Sequence, residues 1–268
     1  MTKVAVITGA GSGIGHATAV AFAAAGYRIA ACDVDQARLD ALTTELGDRA
    51  LLVRKVDVSD RAAMAAFADA VHALVPAADV VVNNAGVAVG GTFLETTLDD
   101  WDWLLGINLR GVVHGCHFFV PKMVERGTGG HIINISSIFG IYAAPRVTAY
   151  VASKFAVLGF SQSLRSELES HRIGVTAICP GMINTAIIAD GRISGSFNSR
   201  RAKLAAAFHT NGAPPSLVAN TILEAVRTNP AVRTVGRDAW ALYQLTKLAP
   251  WATSKFIGVL ERRFGSRD

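Results

Sequence analysis

The sequence has 268 residues, of which 51% are hydrophobic and 18% charged, so it can bury a substantial core. With 25 glycines and 8 prolines, its composition is neither collagen-like nor that of a disordered chain. The net charge of +5 is concentrated in residues 200–268, where eleven basic residues face four acidic ones. The basic residues are spaced singly among apolar ones, which favours a solvated helix face over a nucleic-acid-binding surface.

Cysteine usage and the N-terminal residues indicate the cellular compartment. Cys32, Cys116 and Cys179 lie far apart among apolar neighbours, which predicts reduced core thiols and no metal site. The opening MTKVAVITGAGSGIG is no signal peptide, because glycine interrupts its short apolar run. No apolar run approaches the roughly 20 residues that span a bilayer. We therefore expect a cytoplasmic protein.

Strand-like and helix-like segments alternate along the chain, and the strand-like ones are nearly continuous apolar runs. The predicted strands are 3–7, 27–35, 50–60, 78–86, 129–137, 172–181 and 231–236. The predicted helices are 14–26, 35–47, 60–75, 97–127 (kinked or loosened near Pro121) and 148–170. This order predicts a single α/β domain over 1–268. It is a Rossmann-like, doubly wound parallel sheet of about seven strands with helices on both faces.

A glycine-rich segment, TGAGSGIG, connects the first predicted strand to the first predicted helix. Glycines let the backbone turn tightly and approach a diphosphate, to which a helix N-terminus offers free N–H groups and partial positive charge. The strand before and the helix after the segment favour dinucleotide binding over a purely structural glycine turn. The candidate binding residues in this loop are Gly9, Ser12, Gly13, Ile14 and Gly15.

Asp33 ends the second strand, at the distance along the chain where dinucleotide-binding folds place an acidic residue. Its carboxylate can accept hydrogen bonds from both adenosine ribose hydroxyls and would repel a 2′-phosphate. Ser12 occupies the place where a basic residue would help to bind NADP. We predict NAD rather than NADP, although Arg38 is close enough in sequence to keep NADP open. The alternative role for Asp33 is a helix cap, which Asp35 could equally supply.

Two further strand ends are predicted to line the ligand crevice, which lies at the carboxyl ends of the strands in such a sheet. After the third strand, a carboxylate can meet adenine. After the fourth, the backbone of the sequence NNAG can pass under the adenosine ribose, although Asn83 and Asn84 could equally be turn residues. The candidate contacts are Asp57, Val58, Asn84, Ala85 and Gly86.

Tyr150 and Lys154 lie four residues apart at the start of a predicted helix, so their side chains share one face. A free phenol has a pKa of about 10, and the neighbouring ammonium group is predicted to lower it. Ser137 could hold a substrate oxygen while Tyr150 takes or gives its proton. The small residues 151–153 leave room for a nicotinamide ring. The segment therefore predicts an acid/base group beside a hydride carrier.

These motifs together resemble the short-chain dehydrogenase/reductase family, at that family's spacings, over residues 3–185. The resemblance rests on TGAGSGIG, Asp33, Asp57 and Val58, NNAG, Asn108, the serines 136 and 137, YVASK and PGMINT. It implies that Ser137, rather than Ser136, is the catalytic serine and that Lys154 also binds the nicotinamide ribose. It also implies that Asn108 holds a water molecule linking the lysine to solvent, with a packing kink as the alternative.

The resemblance further implies that PGMINT lies beside the nicotinamide ring, with its carboxamide against Ile183 and Thr185. The candidate residues of this motif are Pro180, Gly181, Ile183 and Thr185. Residues 186–215 are predicted to form a long irregular excursion that acts as a substrate lid. The long apolar-faced helices around 100–125 and 148–170 predict a homodimer or homotetramer.

The C-terminal residues depart from the family's usual ending. Residues 240–250 and 252–264 are predicted to be amphipathic helices within a helical tail over 237–268. Three roles stay open for this tail: core or oligomer surface, the wall of an apolar substrate pocket, or a contact with an anionic membrane surface through its basic residues. The second and third roles suit a lipophilic substrate.

The sequence thus predicts an NAD-dependent oxidoreductase that interconverts a secondary alcohol and a ketone, with a hydrophobic substrate and without a metal. Tyr150 is the predicted general acid/base, and Ser137, Lys154 and Asn108 complete the predicted catalytic set. Two alternatives stay open. One is a catalytically silent dinucleotide-binding module, and the other is a sugar-nucleotide epimerase or dehydratase that uses the same Tyr/Lys pair.

Overall fold

The computed structural model describes residues 2–199 and 201–248, in which strands and helices alternate as a doubly wound α/β domain. The strands are β1 (Val4–Thr8), β2 (Arg28–Asp33), β3 (Ala50–Lys55), β4 (Val80–Asn83), β5 (Val89–Gly90), β6 (Gly130–Ile135), β7 (Ile173–Pro180), β8 (Arg192–Ile193) and β9 (Val232–Val235). The longer helices are α1 (Gly13–Ala24), α2 (Gln36–Leu46), α3 (Arg61–His72), α4 (Leu98–Leu105), α5 (Gly111–Arg126), α6 (Thr148–Leu168), α8 (Arg201–Asn211), α9 (Pro215–Thr228) and α10 (Arg237–Leu248). A short helix α7 (Gly195–Asn198) precedes α8.

Seven strands form one parallel sheet in the order β3-β2-β1-β4-β6-β7-β9. The order reverses at β1, which pairs with β2 on one side and with β4 on the other. In a sheet of this kind the crevice for a ligand opens beyond the carboxyl ends of the strands at that reversal. The predicted fold class, with about seven parallel strands, is confirmed.

Helices cover both faces of the sheet, which is why the central strands are buried throughout their length. On one face, Phe22 of α1, Leu42 of α2 and Ile222 of α9 pack in a single apolar cluster with the strands. On the other face, Phe67 of α3 and Phe119 of α5 meet edge to face, with ring centroids 6.1 Å apart, within a second cluster. The three cysteines are free and buried, as predicted.

The predicted helix over 97–127 is interrupted, but not near Pro121. That proline lies inside α5, which continues through it. The interruption is a π-helical turn, Gly106–Arg110, between α4 and α5. The side chain of Asn108 leaves this turn to bond both the N–H (2.8 Å) and the carbonyl (3.0 Å) of Val87. Turns of this kind are frequent at functional sites.

Residues 186–215 are more ordered than the predicted irregular excursion. They contain β8, α7 and α8, and β8 pairs in parallel with β5 as a small second sheet. At the base of the segment, the backbones of Asn184 and Ala213 are joined by a 2.9 Å hydrogen bond. Backbone hydrogen bonds therefore close the segment at its base and attach its β8 to β5.

The predicted C-terminal helices fall only partly within the described chain. The first is present as α10, and residues 249–268, with the second predicted helix and most of the tail, lie outside the described residues. Among the described helices, none combines the length and apolar character needed to cross a bilayer.

A buried histidine makes the stability of the sheet depend on pH. His131 is 4% exposed, and its Nε2 lies 2.9 Å from the hydroxyl of Thr176, which itself donates to the carbonyl of Pro230. The ring nitrogen therefore donates its proton to Thr176 in the neutral form of the imidazole. Burial, together with the nearby Arg165 guanidinium, lowers the pKa of His131 to about 4.

We expect the protein to lose stability in mild acid through His131. In the unfolded chain this group binds its proton near pH 6.5, so its contribution is complete above about 6.5 and is lost as the pH falls towards 4. The free energy of unfolding should drop by about 2 kcal/mol between pH 7 and pH 5. Urea unfolding at both pH values measures the drop. In His131→Gln it should largely disappear, and an equal drop in that variant would contradict the assignment.

Candidate active site

The glycine loop at the end of β1 leaves no room for side chains. Gly9 adopts a positive φ of 65°, and a Cβ at Gly15 would lie 2.0 Å from the carbonyl oxygen of Gly9. The amide of Asn84 donates to the carbonyl oxygens of Thr8 and Gly9, both at 3.0 Å, and thereby fixes the loop against the end of β4. The backbone is thus held in a tight cradle that only glycines permit.

The N-terminus of α1 opens toward a cavity of about 770 Å³. Ser12 is the N-cap residue of this helix, but its side chain makes no capping hydrogen bond. Opposite the loop, the methyl group of Thr185 would lie 3.1 Å from a Cβ at Gly13. Ile14 instead packs into the core beneath the loop. Free N–H groups, a small-residue cradle and a cavity above them fit the diphosphate of a dinucleotide.

Asp33 lies beside the glycine loop and does not cap α2. Its two carboxylate oxygens accept from the N–H groups of Gly11 (2.9 Å) and Asp35 (3.1 Å). The cap of α2 is Asp35, which accepts from the N–H of Arg38. The alternative role for Asp33 is therefore excluded. Its position beside the loop, at the end of β2, suits contact with an adenosine ribose.

The other residues predicted to contact adenosine have different surroundings in the structure. Ala85 reaches the glycine loop, because its N–H donates to the hydroxyl of Thr8 at 3.1 Å. Asp57 is exposed and accepts from both the N–H and the hydroxyl of Ser59, so its carboxylate stabilises a turn. Val58 is buried against α5, where a Cβ at Gly111 would lie 2.6 Å from its side chain.

Tyr150 and Lys154 project from the first turns of α6 toward the end of β6. The ammonium of Lys154 is 3% exposed and donates to the carbonyl of Ile135 at 3.0 Å. It lies 5.5 Å from the ring centroid of Tyr150. Ser137, just beyond β6, lies close enough to Tyr150 for its hydroxyl to act on the pKa of the phenol. The structure thus brings the predicted serine, tyrosine and lysine together at one strand end.

The two adjacent serines have different roles in the structure. Ser136 is buried and donates through its hydroxyl to the backbone carbonyl of Lys154 at 2.8 Å, which ties β6 to α6. Ser137 carries the hydroxyl that meets Tyr150, and it also accepts from the N–H of Phe139. This separation agrees with the choice of Ser137 as the reactive serine.

The predicted direction of the pKa shift of Tyr150 is wrong for this structure. Burial raises the pKa of the phenol to about 12, and the hydrogen bond with Ser137 opposes that rise in part. Burial also lowers the pKa of Lys154 to about 8. Burial disfavours the charged form of each group, and for the phenol this effect outweighs the one expected from the neighbouring ammonium.

Asn108 joins this group from the π-helical turn. Besides its bonds to Val87, its amide donates to the hydroxyl of Ser153 at 3.2 Å. A Cβ at Gly86 would lie 3.4 Å from the Asn108 side-chain oxygen and 3.5 Å from the Lys154 ammonium. Gly86 therefore lies between the two side chains. The bonds of Asn108 to Val87 and Ser153 support its packing role, and its relay role stays a prediction.

The PGMINT segment borders the same crevice from the end of β7. Pro180 is the last residue of that strand, and the N–H of Gly181 bonds to the carbonyl of Val235. Ile183 is 4% exposed and bridges to Ala213. Thr185 lies over the glycine loop, so the segment runs from the strand end to the diphosphate cradle.

Several residues of the site were not among the predicted contacts. Thr8 organises the junction of β1 and β4 through its hydroxyl, and Gly11 leaves space for the Asp33 carboxylate. Phe139 meets the ring of Tyr150 edge to face at 6.2 Å and lies 5.4 Å from the ring of Tyr142. Their roles depend on tertiary contacts, which single-sequence spacing does not reveal.

The crevice, the glycine cradle and the Tyr/Lys pair are typical of a nucleotide-binding oxidoreductase. Comparisons with known proteins support this class. Residues 3–193 match the family described as short chain dehydrogenase. The chain is 40% identical over 254 residues to the oxidoreductase named EphD of Mycobacterium bovis (strain ATCC BAA-935 / AF2122/97), covering 92% of this chain and 43% of EphD. It is 38% identical over 259 residues to the oxidoreductase named SadH of Mycobacterium tuberculosis (strain CDC 1551 / Oshkosh), covering 92% of this chain and 90% of SadH.

The structure resembles the crystal structure of a short-chain dehydrogenase/reductase from Burkholderia phymatum in complex with NAD. The TM-score is 0.86 at 30% identity, over 92% of this chain and 93% of that chain. The chain belongs to the short-chain dehydrogenase/reductase family. It spans less than half the length of EphD and nearly all of SadH.

The glycine cradle gives a prediction for Gly15→Ala. The new methyl group would lie 2.0 Å from the carbonyl of Gly9, so the variant should be destabilised by about 1–3 kcal/mol in urea unfolding. Its affinity for NAD, measured by calorimetry, should also fall. Gly159→Ala is the matched control, because a Cβ there meets nothing within 4 Å. Equal behaviour of the two variants would contradict the cradle.

Lys154 gives a prediction of opposite sign for stability. Its charged side chain is buried and donates to the Ile135 carbonyl, and burial has lowered its pKa to about 8. Replacing such a group by an apolar one of similar length removes a desolvation penalty, so Lys154→Met should raise the free energy of unfolding by about 1–3 kcal/mol near neutral pH. Urea unfolding of the ligand-free protein measures it. A destabilised variant would show that the lysine supports the fold.

Proposed function

We propose that this protein is an NAD-dependent dehydrogenase/reductase that interconverts a secondary alcohol and a ketone. The observation that carries the proposal is the convergence of Ser137, Tyr150 and Lys154 at the carboxyl end of β6, beside the crevice that begins at the glycine loop. A bound nicotinamide dinucleotide would supply hydride transfer. The chain would supply binding, orientation and the accompanying proton.

Tyr150 acts as the general acid/base in this proposal. In ketone reduction its neutral phenol donates a proton to the developing alkoxide, for which a raised pKa is no obstacle. In alcohol oxidation it must accept a proton, and the Lys154 ammonium, 5.5 Å from the ring, favours the resulting phenolate. With its pKa at about 8, Lys154 remains mostly protonated at neutral pH.

Ser137 and Asn108 support this proton transfer. Ser137 orients the substrate oxygen, because its hydroxyl already meets the phenol that exchanges the proton. Asn108 and Lys154 lie on either side of Gly86, and we assign to them the path by which the proton reaches solvent. Lys154 also holds the nicotinamide ribose in this proposal.

The cofactor is NAD rather than NADP in this proposal. Its diphosphate lies over Gly9, Gly13 and Gly15, and its adenosine ribose meets Asp33. A carboxylate at that place accepts from the ribose hydroxyls and repels a 2′-phosphate. The NAD complex of the Burkholderia phymatum relative supports this choice.

The substrate is apolar in this proposal. The ring of Phe139 lies next to Tyr150 and that of Tyr142 lies next to Phe139, so an aromatic surface adjoins the ring that carries the reacting oxygen. Residues 186–215 act as a lid over the substrate, as their pairing with β5 beside the crevice suggests. The full activity of the longer relative EphD is not implied, since this chain spans 43% of it.

A homodimer or homotetramer belongs to the same proposal. The parallel helices α5 and α6 expose apolar side chains, among them Val113 and Phe155, that pairing of two copies would cover. The cytoplasmic location expected from the sequence remains a prediction.

The test is Tyr150→Phe, which removes only the proton-carrying oxygen. NADH formation with a panel of secondary alcohols, and NADH consumption with the corresponding ketones, should fall by about 10²–10⁴ because the proton path is lost. NAD affinity by calorimetry should be nearly unchanged. Tyr27→Phe, on a tyrosine that packs against Phe22 outside the site, is the matched control and should retain full activity.

Three results would overturn the proposal. Near-normal turnover in Tyr150→Phe would refute the role of the phenol. Absence of turnover in the wild-type protein across the panel, with NAD bound, would favour a silent binding module. Tightly retained NAD with a converted sugar nucleotide and no net NADH would favour an epimerase or dehydratase.

A further inference from the structure

One ion pair connects the lid to the adenosine end of the crevice. The guanidinium of Arg38, on α2, lies 3.8 Å from the carboxylate of Asp190, just before β8 in the lid. The same guanidinium lies 3.2 Å from the carboxylate of Asp35, one turn earlier on its own helix. Two acidic side chains, one local and one from the lid, therefore hold this single cation.

Arg38 lies where the charge of a cofactor's ribose would be sensed. The position that a Cβ would take on Gly11 is 3.0 Å from the Cβ of Arg38 and 2.9 Å from a carboxylate oxygen of Asp33. The stem of Arg38 is thus beside the carboxylate that we assign to the adenosine ribose. A guanidinium at this place is the group that a 2′-phosphate would recruit, since it binds phosphate through two parallel hydrogen bonds.

Contacts between Arg192 and α4 fix the part of the lid that carries Asp190. Two residues later, Arg192 reaches α4, where it lies 3.3 Å from the carboxylate of Asp100 and 4.1 Å from the ring centroid of Trp103. The backbone N–H of Arg192 also bonds to the carbonyl of Ala88. The segment 190–192 therefore bridges two helices, with its arginine on α4 and its aspartate beside Arg38 of α2.

We propose that Asp190 is a cofactor-selectivity residue, which acts by holding Arg38 away from a 2′-phosphate. To bind NADP, the protein must break the Arg38–Asp190 pair and accept a phosphate close to three carboxylates, those of Asp33, Asp35 and Asp190. To bind NAD it needs to do neither. The inference rests on the proposed use of a nicotinamide dinucleotide and adds the lid as a determinant of which one is bound.

The experiment compares the dissociation constants of NAD and NADP for the full chain by isothermal titration calorimetry at low ionic strength. Asp190→Asn should tighten NADP binding by about two- to five-fold, the size expected for one exposed ion pair, and change NAD binding by less than that. The difference should shrink when salt is added, because exposed charges are screened.

Two controls separate the ion pair from a general effect of charge. Asp40→Asn removes one negative charge from the exposed surface of α2, where this side chain bonds to Gln36, and should leave the NAD/NADP ratio unchanged. In the double variant Asp190→Asn with Arg38→Gln, the gain in NADP affinity should disappear, because the cation that Asp190 releases is gone.

Each outcome decides the question. An unchanged ratio in Asp190→Asn, or a gain that persists without Arg38, would overturn the inference while leaving NAD-dependent turnover and the proposed function intact. Failure of the wild-type protein to bind either dinucleotide would instead overturn both the cofactor assignment and this inference.

Discussion

The burial of a lysine beside a phenol is the constraint on which the rest of the site depends. An ammonium group withdrawn from water needs hydrogen-bond acceptors, and Lys154 obtains one from the carbonyl at the end of β6. That bond directs the Lys154 ammonium to the strand end, on the side of α6 where Tyr150 lies close to Ser137. Because Gly86 and Gly140 have no side chains, Lys154 can pack closely against the backbone at both positions. A Cβ at Gly140 would lie 2.6 Å from the Lys154 carbonyl oxygen, which Ser136 already holds.

The two halves of the site follow from one property of the sheet, namely that its strands are parallel. Their carboxyl ends meet at one edge, so the glycine loop after β1 and the serines after β6 open into the same crevice, although about 120 residues separate them. Asn84 links the halves, since its amide holds the glycine loop while Gly86, two residues later, borders Lys154.

The sequence predicted what short-range rules control. Apolar runs of strand length set the seven-stranded sheet, and the spacing of Tyr150 and Lys154 placed them on one helical face. The prediction failed for features that depend on contacts between residues distant in the chain. The π-helical turn forms because Asn108 bonds to Val87, 21 residues away, and not because of Pro121. The direction of the Tyr150 pKa shift depends on burial, which no neighbouring residue in the sequence encodes.

Residues 186–215 are a second region whose tertiary contacts the sequence did not predict. Nothing in residues 186–215 resembles a motif, yet β8 pairs with β5, and side chains two positions apart contact α2 and α4. A strand of two residues has little stability of its own, so its position depends on these contacts at both ends. The three residues 190–192 thus join α2 to α4. Under the role proposed for Asp190, a substitution that moves Arg192 away from α4 would therefore also change the charge around Arg38.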